Sequence, residues 1–224
     1  MFQKLFLGFV LLLTSSVAAS AEDYSALFTE AIDNIEWELE KEWAFTESSL
    51  KEGELWVGRH DPRLDQDERW TLVSIDGREP TSKEARKYAH DKREHDSSED
   101  SRTTKIVKSD SLELIEETDD FWLFTFVPDD DETEFIDSVD AKIRIIKSGR
   151  YVESIDMRNH SAIEPGWGTR LSQFLMRLEF GPAAEDGPIV PLSTKVHVTG
   201  RALLFISIDE TEVTNFSDFE HVVE

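Results

Sequence analysis

From Leu112 onward nearly every apolar run of this chain changes face from one residue to the next. In "VDAKIRIIK", Val139, Ala141, Ile143 and Ile145 point one way, and Asp140, Lys142 and Arg144 the other. In "RLSQFLMRLEF", Phe174, Met176, Leu178 and Phe180 share a face opposite Gln173, Arg177 and Glu179. Period two over short segments is the pattern of half-buried antiparallel strands, because successive side chains leave a pleated strand on opposite sides. The runs "SLELIEE" and "FWLFTFV" are separated by Asp119-Asp120, and "VDAKIRIIK" and "YVESIDM" by Ser148-Gly149-Arg150, which reads as a hairpin. "STKVHVTGRALLFISI" and "TEVTNFSDFEHV" add two or three more strands.

The first half is mixed. Phe28, Ile32, Ile35 and Leu39 recur at helical spacing, predicting an amphipathic helix over residues 23–41. "EWAFTESSL", "ELWVGRHDP" and "ERWTLVSI" then read as three strands, with a turn at Lys51-Glu52-Gly53 and a stop at Pro62. In "SIDGREPTSKEARKYAHDK", Asp76-Gly77 supplies a turn and Pro80 disfavours helix before it. Thr81 and Glu84 form a T-x-x-E capping box opening a second helix over residues 82–94. Its apolar stripe is thin, only Ala85, Tyr88 and Ala89, which predicts a lightly held surface helix. The polar "HDSSEDSRTTK" after it is expected to be a mobile loop. The fold class expected is α+β: a large curved antiparallel sheet covered by an N-terminal helix and a second helix.

"MFQKLFLGFVLLLTSSVAASA" places Lys4 before an apolar run from Leu5 to Leu13 and ends in Ala19-Ser20-Ala21. This is the layout of a signal peptide cleaved after Ala21, too short to span a bilayer as a helix. The expected organisation is a signal peptide over 1–21 and one domain over 22–224, exported, with no integral membrane segment after cleavage. The formal net charge of −24 repels nucleic-acid phosphates, so nucleic acid is not an expected partner. A solvated, solubilising surface accounts for that acidity; the sharper reading is a basic protein partner recruited by long-range attraction. There is no cysteine, which excludes disulfides and thiol catalysis, so packing alone must hold the fold.

No catalytic constellation is present. The six histidines (His60, His90, His95, His160, His197 and His221) form no H-E-x-x-H, and no metal site is expected. Ser161 follows His160 without a G-x-S-x-G, "DDDETE" lacks the glycine and spacing of a calcium loop, and no glycine loop cradles a phosphate cofactor. "EPGWGTR" reads as a turn with an anchoring Trp167. The expectation is a protein that is not an enzyme and carries no cofactor. "FWLFTFV" is apolar on both faces: Phe121, Leu123 and Val127 on one, Trp122, Phe124 and Phe126 on the other. One face can pack under the N-terminal helix; the second needs another cover, such as a sheet, a partner or a ligand.

The order of elements, with "GELWVGRHDP" after the first strand and "RWTLVSIDG" next, resembles the periplasmic lipoprotein-carrier (LolA-like) superfamily, through Gly53, Leu55, Trp56, Val57 and Arg59. "TNFSDFEHV" is similar to that family's closing strand. The family's proline usually follows the arginine directly, whereas here His60 and Asp61 intervene. The resemblance implies an incomplete β-barrel in the periplasm whose apolar cavity holds acyl chains of a lipid or lipoprotein, with Arg59 near the cavity mouth. Candidate ligand-binding residues are Trp56, Arg59, Trp70, Phe124, Phe126, Phe174, Met176 and Leu178. The alternative is an envelope interaction or sensor protein of the same fold, with a filled core and an acidic partner-binding surface.

Overall fold

The computed structural model of the chain describes residues 21–222 apart from 52, 97–106, 108–110, 129–135, 167, 186 and 204–205. The body of the expected signal peptide, the loop after the second helix, the "DDDETE" turn and Trp167 therefore lie outside the described residues. The chain runs α1 (Ala21–Asp33), α2 (Leu39–Glu42), β1 (Trp43–Lys51), β2 (Glu54–His60), β3 (Trp70–Ile75), α3 (Ser82–Asp96), β4 (Glu113–Glu117), β5 (Phe121–Phe126), β6 (Val139–Ile146), β7 (Tyr151–Asn159), β8 (Ile163–Gly166), β9 (Thr169–Pro182), β10 (Ile189–Ala202) and β11 (Ile206–His221). Every strand among the described residues joins one antiparallel sheet of 11 strands in the order β3-β2-β1-β11-β10-β9-β7-β6-β5-β4, with β8 pairing on β9. The sheet is not closed; β3 and β4 are its two ends. The last strand lies beside the first, so β11 joins the N-terminal meander to the later hairpins.

Cross-strand partners lie on the same face of a sheet, so register identifies each face. One face is polar, carrying Thr46, Arg59, Lys142, Asp156, Arg177 and Lys195. Arg177 there donates to Asp156 at 3.1 Å and to Glu179 at 2.8 Å. The other face is apolar over most of its width and carries α1 and α3. Under α1, Phe28, Ala31 and Ile32 pack with Phe124, Ile143 and Ile155. Under α3, Tyr88 packs with Phe45, Trp70 and Leu72. Burying each large apolar side chain is worth about 1.5–3 kcal/mol, so these two clusters hold the sheet ends against their helices.

The predicted helix over 23–41 is shorter in the structure and ends at Asp33. Ile35 makes a parallel bridge to Ile189, and the Glu36 amide donates to the Ile189 carbonyl at 2.7 Å. Pairing with the sheet therefore replaces the helical hydrogen bonds at that point. The four periodic residues are all buried, but Phe28, Ile32 and Ile35 belong to one cluster and Leu39 to the other.

The turn after β3 matches expectation. Asp76 and Gly77 both have positive φ (49° and 76°), and Ile75 and Arg78 exchange hydrogen bonds across them, which is why an Asp-Gly pair stands there. The capping box is formed as well: the Glu84 amide donates to Thr81 Oγ1 at 3.3 Å, and the Thr81 amide to Glu84 Oε2 at 2.7 Å. Arg78 adds a bidentate contact to Glu84 at 2.7 and 3.0 Å. Helix α3 is held more firmly than its thin stripe predicts. Tyr88 is 8 % exposed, Lys92 pairs with Glu47, and Arg93 pairs with Asp67.

On β5 the second apolar face is only partly shielded: Val127 is exposed, while a side chain lies over Phe121. The Arg144 guanidinium lies 4.3 Å from the Phe121 ring centroid on the polar face. A cation over an aromatic face is attractive, and the aliphatic stem of arginine shields apolar surface.

Candidate ligand-binding groove

On the apolar face one cross-strand row runs from end to end: Ile75, Trp56, Ser49, Thr214, Thr194, Leu178, Ile155, Ile143, Phe124 and Leu114. The row is apolar at both ends and polar in the middle, where Thr214 Oγ1 donates to Ser49 Oγ at 3.2 Å. The neighbouring row reads Glu54, Lys51, Glu212, Val196, Met176, Met157, Ala141 and Phe126. Helices cover the two ends. Among the described residues Val196, Val198 and Ile208 belong to neither packed cluster and remain half-exposed. The floor between the helices is thus amphipathic. Phe174, Met176 and Leu178 form an apolar bank on β9, and Ser49, Lys51, Glu212 and Thr214 a polar bank on β1 and β11.

At the polar bank the floor opens into a cavity of about 280 Å³ beneath α3. Glu47, Ser49, Trp56, Tyr88, Lys92 and Glu212 are among its walls. Glu47 is placed inward by strand alternation, on the same face as Phe45 and Ser49, and is 5 % exposed. A carboxylate so buried needs a counter-charge, and Lys92 supplies it. The Lys92 ammonium also lies 4.7 Å from the Trp70 ring centroid and 5.7 Å from that of Tyr88. The two more exposed pairs are looser: Lys51 with Glu212 at 3.9 Å and Lys87 with Asp91 at 3.7 Å.

The sequence-predicted residues fall into three places. Trp56 lines the cavity, and Trp70 is buried behind it, 4.7 Å from the His60 ring and 5.6 Å from Phe45. Phe124 is 0 % exposed, capped edge-on by Tyr24 of α1 at 5.1 Å, and Phe126 is buried beside it. Phe174, Met176 and Leu178 share the apolar bank and are half-buried. Arg59 stands on the opposite, polar face. It is in register with Thr46 and donates to the Asp218 carbonyl at 3.0 Å, with Glu220 at 3.5 Å, which ties β2 to β11 across β1. Near it, Arg63 hydrogen-bonds Asp61 and holds its carboxyl below the usual carboxylate range.

Sequence reasoning missed Glu47, Lys92, Ser49, Glu212, Val196 and Val198. Alternation in "KVHVTG" places Val196 and Val198 on one face, and Glu47 is a lone carboxylate at an inward position between Phe45 and Ser49. Lys92 had no such signal, because its partner is 45 residues away. A second, shallower cavity of about 410 Å³ lies beside α1, walled by Tyr24, Leu27, Glu117, Trp122 and Arg150. Lys147 hydrogen-bonds Glu117 there at 2.7 Å and lowers its pKa. Among the described residues no group of three or more His, Asp or Glu side chains is placed to hold a metal ion. No helix among them is long and apolar enough to cross a membrane.

The architecture is that of an open, all-antiparallel sheet with helices on one face and an amphipathic floor between them. No protein-family model, curated protein or solved structure matches this chain.

Proposed function

We propose that this protein is a non-enzymatic carrier, exported to the periplasm as a single domain over 22–224, that shields acyl chains of a lipid or lipoprotein on the apolar face of a curved, incomplete barrel. The observation that carries this reading is the partly buried apolar centre of that face, between the described helices. There Phe174 and Met176 meet Val198 and Val196 in register, and the row continues without interruption into a packed core. A hydrocarbon chain laid along this bank gains about 0.8 kcal/mol per methylene buried, so a long chain is held without covalent chemistry. Phe124 and Phe126 act as the wall that backs the groove, and Trp56 stands at its polar end. Native mass spectrometry with lipid extraction of the protein from the exported fraction tests the reading. Bound lipid is expected, and Phe174→Glu or Met176→Glu is expected to abolish uptake. Unchanged uptake in either folded variant rules that position out.

The sealed interior under α1 favours a second reading, an envelope interaction protein that uses its acidic surface. Salt-sensitive capture of a basic protein, with no lipid in the purified chain, selects that alternative.

A further inference from the structure

We infer that the cavity beneath α3 takes the zwitterionic head group of an amphiphile whose tail lies on the neighbouring apolar bank, an inference that rests on the carrier reading above. The cavity and the bank are neighbours on the sheet. Glu212, a wall of the cavity, pairs in register with Val196, which pairs with Met176. An amphiphile lying across β11, β10 and β9 therefore places opposite ends on opposite chemistries.

The charge pattern selects the head group. Lys51, Lys87 and Lys92 face Glu47, Glu54, Asp91 and Glu212 around one small space. A purely anionic head would meet the carboxylates, and a purely cationic head the ammonium groups. A head with both charges on a short linker can satisfy both sets. The pairs are unequal in a way that suits this exchange. Lys92 and Glu47 are in tight contact and largely shielded from solvent, whereas the Lys51–Glu212 and Lys87–Asp91 pairs are long and solvent-facing. The outer pairs can open to a ligand while the inner one keeps α3 in place. Glu54 stands in register with Lys51, and Trp56, two residues on, presents an aromatic wall on the same face, a platform for an organic ammonium. The chain's formal net charge of −24 further disfavours an anionic head by long-range repulsion.

The test uses three single-chain amphiphiles with the same lauroyl tail, each below its micellar concentration: lysophosphatidylcholine, lysophosphatidylglycerol and monoacylglycerol. Affinities are measured by calorimetric titration at fixed salt. The zwitterionic probe is expected to bind about ten-fold tighter than either other probe. Trp56→Ala and, separately, Glu54→Gln should remove most of that preference, and Glu54→Gln should leave monoacylglycerol binding unchanged. Glu54 is exposed, so its variant tests the site without disturbing the core. Equal binding of all three probes, tightest binding of the anionic one, or a preference that survives both substitutions overturns the head-group site and leaves the carrier reading standing. Binding of none of the three overturns both.

Discussion

Replacing Gly58 with alanine puts a methyl carbon where the Tyr88 ring now rests, 2.0 Å from Oη and 2.6 Å from Cζ. In an open strand this substitution would stabilise by roughly 0.5–1 kcal/mol, since glycine loses more conformational freedom on folding than alanine. Here the ring must leave instead. An aromatic side chain buries roughly 150–250 Å², so lifting about half of Tyr88 off the sheet re-exposes on the order of 100 Å², worth about 2.5 kcal/mol at ~25 cal/mol per Å². Set against the intrinsic gain, Gly58→Ala is expected to destabilise by about 2 kcal/mol, within the range of overpacking substitutions. For a chain of this size that corresponds to a Tm lower by about 4–8 °C. The assay is a double-mutant cycle with Tyr88→Ala, followed by urea and thermal unfolding under circular dichroism. With the ring gone the three closest contacts of the added methyl are gone, so Gly58→Ala in that background should be neutral or slightly stabilising. An equal loss in both backgrounds would refute the claim that α3 is seated through Tyr88 on the bare backbone at Gly58.

Three further outcomes are expected. Arg78, helped by the Thr81 amide and hydroxyl, holds the Glu84 carboxyl at about 2, below its ordinary value of 4.5. Its contribution to stability is therefore complete above pH 4.5 and lost as the pH falls through about 2, so Glu84→Gln should flatten acid unfolding across that window. Phe124→Ala opens a cavity in the cluster beneath α1 and should cost about 3–5 kcal/mol by urea denaturation. Thr81→Ala should cost about 1 kcal/mol by the same measurement, through loss of the α3 cap.

Much of the local structure was legible in the chain, because period-two alternation, an Asp-Gly pair and a T-x-x-E box each act over a few adjacent residues. The hairpin after β6, the start of α3 and the shared face of Phe174, Met176 and Leu178 all followed from such short-range signals. Residues 33–41 did not. Their apolar spacing continues the helical period, but Ile35 gains more by bridging to Ile189, more than 150 positions away, than by extending α1. The candidate site was legible on its apolar side and at Trp56, but not in its charged residues.

The sequence by itself determined where most strands and turns fall, though not β8, which it read as a turn, and that no recognisable catalytic signature is present. The tertiary structure alone decided that β11 returns beside β1, so that Ser49 meets Thr214 across 165 residues and Lys92 closes over Glu47. Alternation tells each strand which side to present but not which neighbour to take, because that choice depends on how the whole face can bury its surface at once. The polar patch at the middle of an otherwise apolar face therefore exists only when the pairing order is complete.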